Sequence, residues 1–211
     1  MDKINFTPFT EDMKSTHTIL IPGMLPLHFS LLQAALTSCG YKAEILQNTG
    51  REVIETGLKY VNNDICYPAL LVIGQLINAL ESGKYDLQHT ALIISQTGGG
   101  CRASNYIFLL RKALEKAGLT HIPVISLNVN GLEKQPGFNL NANMLRKFLA
   151  AVVYGDALMY LTNKLRPYEV VQGAADQLAQ KWLTKLGKAF QSGKAQALSS
   201  IKSFTHAIAS E

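Results

Sequence analysis

Long hydrophobic runs are missing from this sequence. The longer ones, such as residues 148–154 and 69–73, fall far short of the ~20 apolar residues that a membrane-spanning helix needs. The first 15 residues alternate polar and apolar side chains and lack the basic and apolar regions of a secretory signal, so a cytoplasmic protein without a membrane span is expected. Cysteine is scarce: three in 211 residues, an odd count that does not suggest a disulfide framework. Free thiols, catalysis or metal binding remain. Charge is low at 17%, with a formal net charge of +5. The lysines and arginines are scattered rather than interleaved with aromatics in a stripe, which argues against a nucleic-acid partner. Much of the basic excess lies beyond residue 140, where solvated helix faces account for it.

Several catalytic signatures are absent as well. The glycine run at residues 98–100 lacks the Lys-Ser/Thr of a phosphate-binding P-loop, and G-x-G-x-x-G does not occur. His17, His28, His89, His121 and His206 show no zinc-hydrolase spacing. Ser104 is not inside a G-x-S-x-G elbow.

What is present is a 47% apolar chain, enough for a sizeable core. Short β-rich runs are predicted at residues 17–22, 42–47, 90–96 and 122–127. Between them lie helical patterns at 26–40, 52–60, 66–83 and 103–116. Strand and helix alternate four times before residue 130, which predicts an α/β fold: a Rossmann-like parallel sheet of about four strands with flanking helices. After a Gly-, Pro- and Asn-containing loop at 131–143, only helices follow, at about 144–164, 168–191 and 197–209. Val171, Leu178, Trp182, Leu186 and Phe190 share one stripe of the second. These helices form a cap for the sheet or for a neighbouring chain. The expected organisation is an extension at 1–15, a Rossmann-like domain at 16–140 and a helical segment at 141–211.

Two cysteines stand at predicted helix starts. Cys101 follows Gly98, Gly99 and Gly100 directly, between the buried strand 90–96 and a helix. The carboxyl ends of strands are where open α/β sheets bind ligands. Glycines let the backbone approach a bound group, and helix-start amides favour anions and thiolates. The same glycines would also serve a turn that merely accommodates tight packing; the adjacent cysteine shifts the reading towards function. Cys66 follows the polar Asn62-Asn63-Asp64 and precedes Pro68, a residue suited to a first helical turn. Arg102, Asn105 and Tyr106 could line a pocket beside Cys101, or Tyr106 could simply pack. Cys39, at a helix end before Gly40, reads as an ordinary core or surface thiol.

Around these residues the chain resembles the 2-hydroxyacyl-CoA dehydratase activase family, also called CoA-substrate-specific enzyme activases, in the region near the C-terminus of its long members. The resemblance is carried by residues 62–69 (NNDICYPA), 96–106 (QTGGGCRASNY) and 123–128 (PVISLN). Residues 131–133 (GLE), 154–156 (YGD) and 166–169 (RPYE) also agree. It spans roughly residues 15–185 and implies kinship with dehydratase subunits that hold a [4Fe–4S] cluster. On that resemblance Cys66 and Cys101 become candidate cluster ligands, and Gly98, Gly99, Gly100, Arg102 and Asn105 become candidate cofactor-binding residues. The implied role is electron transfer or acyl-CoA dehydration, with acyl-CoA and other domains or subunits of the system as partners, and a homo-oligomer allowed. A complete cluster normally takes more thiolates than two, so further ligands would come from elsewhere. The family's ATP-hydrolysing module is not represented. Two other readings stand beside this one: a non-catalytic anion- or CoA-binding assembly module, and a thiol–disulfide redox domain.

Overall fold

The most continuous β-branched run of the sequence becomes a central strand in the computed structural model of the protein, which describes residues 6–62, 64–96, 106–128, 133, 135–195 and 198–210. That strand, β3 (Thr90–Ser95), lies between β1 (Thr18–Ile21) and β4 (Val124–Leu127). The strand β2 (Lys42–Ile45) pairs with the other side of β1, giving the order β2-β1-β3-β4. All pairs are parallel, with Thr18 opposite both Lys42 and Thr90, and Leu92 opposite Val124. Burial follows position in the sheet. Ile19 to Ile21 and Thr90 to Ile94 are buried, whereas no residue of the edge strand β2 is. The protein is therefore α/β, with a four-stranded Rossmann-like parallel sheet, flanking helices and C-terminal helices.

The chain divides into two compact units, Met1–Met24 with Tyr41–Asn139, and Leu25–Gly40 with Leu140–Glu211. The first holds the sheet, the short helix α1 (Met13–Thr16), and α3 (Arg51–Tyr60), α4 (Tyr67–Glu81) and α5 (Tyr106–Lys116). The helix α2 (Pro26–Thr37) follows β1 in sequence but belongs to the second unit. Leu20, Leu92 and Val124 of the sheet join Ile73 and Leu76 of α4 and Leu110 of α5 in one hydrophobic core. Two glycines let α3 and α4 touch backbone to backbone. A Cβ on Gly74 would lie 2.3 Å from the Val53 carbonyl oxygen, and one on Gly57 would lie 2.6 Å from that of Leu70.

The second unit is helical. In it α2 packs on α6 (Ala142–Leu165) and α7 (Ala174–Gln191), and α8 (Leu198–Ala209) packs on α6. Trp182, Leu186 and Phe190 are fully buried, as the predicted stripe requires. Val171 is not: it is 66% exposed, because the helix starts six residues later than its periodicity predicts. A single 3₁₀ turn covers Arg166–Tyr168, and the Glu169 carboxylate then accepts from the amides of Gly173 (2.7 Å) and Ala175 (3.0 Å). Gly173, at φ +86°, takes the left-handed turn that this fold-back needs. Among the described residues no helix is long and apolar enough to cross a membrane.

Candidate functional site at the carboxyl ends of the strands

The strand order reverses direction between β1 and β3, since β2 lies on one side of that pair and β4 on the other. In open α/β sheets the crevice beyond the carboxyl ends at such a point is the usual ligand seat. Four segments emerge there: Pro22–Met24 after β1, Leu46–Gly50 after β2, Gln96 after β3 and Asn128 after β4.

Cys66 is the N-cap residue of α4. Its backbone is extended (φ −64°, ψ 142°) and its carbonyl accepts from the amides of Ala69 (3.0 Å) and Leu70 (3.3 Å). Pro68 occupies the first turn, where a missing N–H costs nothing. The residue is exposed, and its Sγ lies 3.3 Å from the hydroxyl of Tyr106. Tyr106 opens the described part of α5 and is only 6% exposed. It packs, and it also brings a phenol to the thiol. A thiolate at Cys66 would thus find an O–H donor beside it and a helix amino end, which favours negative charge.

The other residues singled out by the sequence, Cys101, Gly98, Gly99, Gly100, Arg102 and Asn105, lie outside the described residues. In sequence Cys101 falls between the end of β3 and Tyr106. Cys39 is half-buried, just past α2. Among the described residues no three His, Cys, Asp or Glu side chains gather where a metal ion could be held. Cys66 has the chemistry and exposure of a cluster ligand, but it is a single thiolate; a complete cluster would need Cys101 and donors beyond these residues.

A groove of about 470 Å³ in the same unit is lined by Gly23, Met24, Thr49, Gly50, Tyr67 and Gln75, among others, none of them charged. Gln75 is 8% exposed. Its Oε1 accepts from the Gly23 amide (2.8 Å), and its Nε2 donates to the Asn48 carbonyl (2.9 Å). Asn48 returns the contact: its Nδ2 donates to the Gln75 carbonyl (3.0 Å) and to Asn78 Oδ1 (2.8 Å). One glutamine therefore ties the loops after β1 and β2 to α4. A Cβ on Gly23 would meet the Leu46 carbonyl oxygen at 2.9 Å, so this approach needs glycine. The Asn48 Oδ1 is buried without a hydrogen-bond partner among the described residues, an unmet acceptor beside the groove. Sequence reasoning missed this constellation. Its signal was Gln75, a polar residue within the apolar run 69–77 of α4.

A second polar cluster holds the ends of β3 and β4. Ser126 Oγ donates to Gln96 Oε1 (2.7 Å) and accepts from Asn128 Nδ2 (2.9 Å), which also reaches the Glu133 carbonyl (3.1 Å). The Glu133 carboxylate is gripped by both terminal nitrogens of the buried Arg111 (2.8 and 2.5 Å) and by Gln135 Nε2. These contacts fix Asn128, Glu133 and Gln135 after β4. No protein-family model, curated protein or solved structure matches this chain.

Proposed function

We propose that this protein is the iron–sulfur-associated domain of a 2-hydroxyacyl-CoA dehydratase/activase-type system. In this reading Cys66 and Cys101 ligate a [4Fe–4S] cluster whose remaining ligands come from other domains or subunits. The observation that carries the reading is the exposed thiol of Cys66 at the amino end of α4, with the Tyr106 hydroxyl 3.3 Å from its sulfur. A hydrogen bond to a ligating sulfur raises a cluster's potential, so Tyr106 would tune what Cys66 holds. A bound cluster would supply one-electron exchange or a Lewis-acidic iron. The groove, uncharged and bounded by Tyr67 and Gln75, suits the apolar and amide-bearing arm of an acyl-CoA. Cytoplasmic residence belongs to the same proposal, because thiolate ligands of a cluster are kept from oxidation in a reducing compartment.

The test is iron and acid-labile sulfide content after anaerobic reconstitution. Iron should be lost in Cys66→Ser and in Cys101→Ser and retained in Cys39→Ser; a colourless, iron-free wild type rejects the reading. The Asn48–Gln75 groove, built without any cysteine, favours a second reading as a CoA-binding module with no redox chemistry. CoA binding that survives in the Cys66→Ser, Cys101→Ser double variant of an iron-free protein selects that one.

A further inference from the structure

In the helical unit the outward face of α6 is apolar where a solvated face should be polar. Met144, Phe148, Ala151, Tyr154 and Leu158 turn inward and are buried. On the other side Leu149 is 60% exposed, Tyr160 58%, Val153 44% and Val152 41%. The helix α7 of the same unit shows the ordinary case: its exposed positions from 176 to 188 are all Asp, Gln, Lys or Thr. A helix apolar on both faces is one that is covered on both.

The spacing along the outward face points to what covers it. Ala142, Arg146, Leu149, Val153, Asp156 and Tyr160 follow one another at intervals of four, three, four, three and four, the seam spacing of paired helices. Those intervals are the same from either end. Turned end for end about position 151, the seam meets itself with Ala142 opposite Tyr160, Arg146 opposite Asp156 and Leu149 opposite Val153. Each match is complementary: small against large, cation against anion, aliphatic against aliphatic. A parallel pair would instead set Arg146 against Arg146 and Asp156 against Asp156. Both charges are accessible. Arg146 is exposed and makes no ion pair among the described residues. Asp156 Oδ1 lies 2.9 Å from His28 Nε2, yet the Asp156 side chain is 65% exposed. The seam runs for about 27 Å at 1.5 Å per residue. An interface built on it lies near the low end of specific contacts, roughly 1,000 Å², so the pairing is weak and depends on concentration.

We propose that two copies of this chain pair antiparallel through α6, with Arg146 of each copy against Asp156 of the other and Leu149 against Val153 at the centre. The pairing is independent of Cys66 and of any cluster. The test is sedimentation equilibrium of the 211-residue chain under reducing conditions, so that no disulfide links the copies. Monomer at about 1 μM and dimer at about 0.5 mM are expected. Leu149→Glu puts two carboxylates into the apolar centre of the pair and should raise the dissociation constant at least about tenfold. Arg146→Glu, at an exposed position, should raise it about fivefold or more through two like-charge contacts, with the melting temperature little changed. The double variant Arg146→Glu, Asp156→Lys restores both contacts with the charges exchanged, and should return the constant to within about threefold of wild type. If loss of the His28 contact unfolds that variant, Leu149→Glu and Arg146→Glu decide the matter alone. A monomer at every concentration, a dimer unmoved by either single variant, or a folded double variant that pairs as weakly as Arg146→Glu overturns the proposal.

Discussion

Among the described residues, the sheet unit buries the guanidinium of Arg111 and the helical unit buries the ammonium of Lys147. Both are 4% exposed, yet their surroundings differ. Arg111 meets Glu133 in a two-pronged ion pair, donates to the Val124 carbonyl (3.4 Å), and has its guanidinium carbon 3.8 Å from the centre of the Phe6 ring. The Lys147 ammonium donates to the carbonyl (3.2 Å) and hydroxyl (2.9 Å) of Ser38, the C-cap residue of α2. It has no carboxylate within ion-pair distance among the described residues. Arg111 is a charge neutralised by another charge, and Lys147 is a charge set against the negative end of a helix dipole. A mutually dependent buried pair fails badly when halved, whereas removing a lysine held only by a helix-end carbonyl and a hydroxyl strands no opposite charge.

The largest expected effect follows from halving the pair. Glu133→Ala leaves the Arg111 guanidinium buried and uncompensated, and should destabilise the protein by about 3–5 kcal/mol in urea denaturation. The double variant Arg111→Met, Glu133→Leu should recover most of that loss, since it removes both desolvated charges. A double variant no more stable than Glu133→Ala would mean that the loop after β4 needs the polar network as such. Lys147→Met keeps the apolar stem and drops the ammonium, and should change stability by no more than about 1 kcal/mol. A loss of 3 kcal/mol or more there would erase the contrast between the two units.

The same contrast explains what was legible in the sequence. The run at 90–95 could only be a buried strand, and the apolar periodicity of α4 and α5 left little choice, so sheet and helices follow from local pattern. Glu169 illustrates the limit: residues 168–173 carry helical periodicity, but a carboxylate folded back onto the amides of Gly173 and Ala175 ends the pattern before α7 begins. Nothing local marks Arg111 as buried; its partner Glu133 lies 22 positions away. Cys66 was legible as a helix-start thiol from the polar Asn62-Asn63-Asp64 before it and Pro68 after it. Its contact with Tyr106, 40 positions on, and the Asn48–Gln75 link across 27 positions are products of the fold, since no local spacing encodes them. The glycine–cysteine motif at 98–101, the strongest signal in the sequence, lies outside the described residues.

The smallest effect concerns the second pair of buried groups, one histidine in each unit. His28 is tied to a carboxylate. His17 is tied to a hydroxyl, Thr16 Oγ1 at 2.9 Å, with the His89 ring 5.7 Å away. Burial holds the His17 pKa below its ordinary value of 6.5; His89 lowers it further, and Asp86, paired with His89, only partly opposes this. The folded state therefore binds a proton at His17 less readily than the unfolded chain does. Stability linked to this group is fully present above about pH 6.5. It declines as the pH falls from there towards the folded pKa. Wild type should accordingly lose more stability between pH 7.5 and pH 5.5 than His17→Gln, measured as the shift in urea midpoint at each pH. Equal losses in the two proteins would mean that the folded and unfolded states protonate His17 alike, and that the acid sensitivity of the sheet unit resides elsewhere.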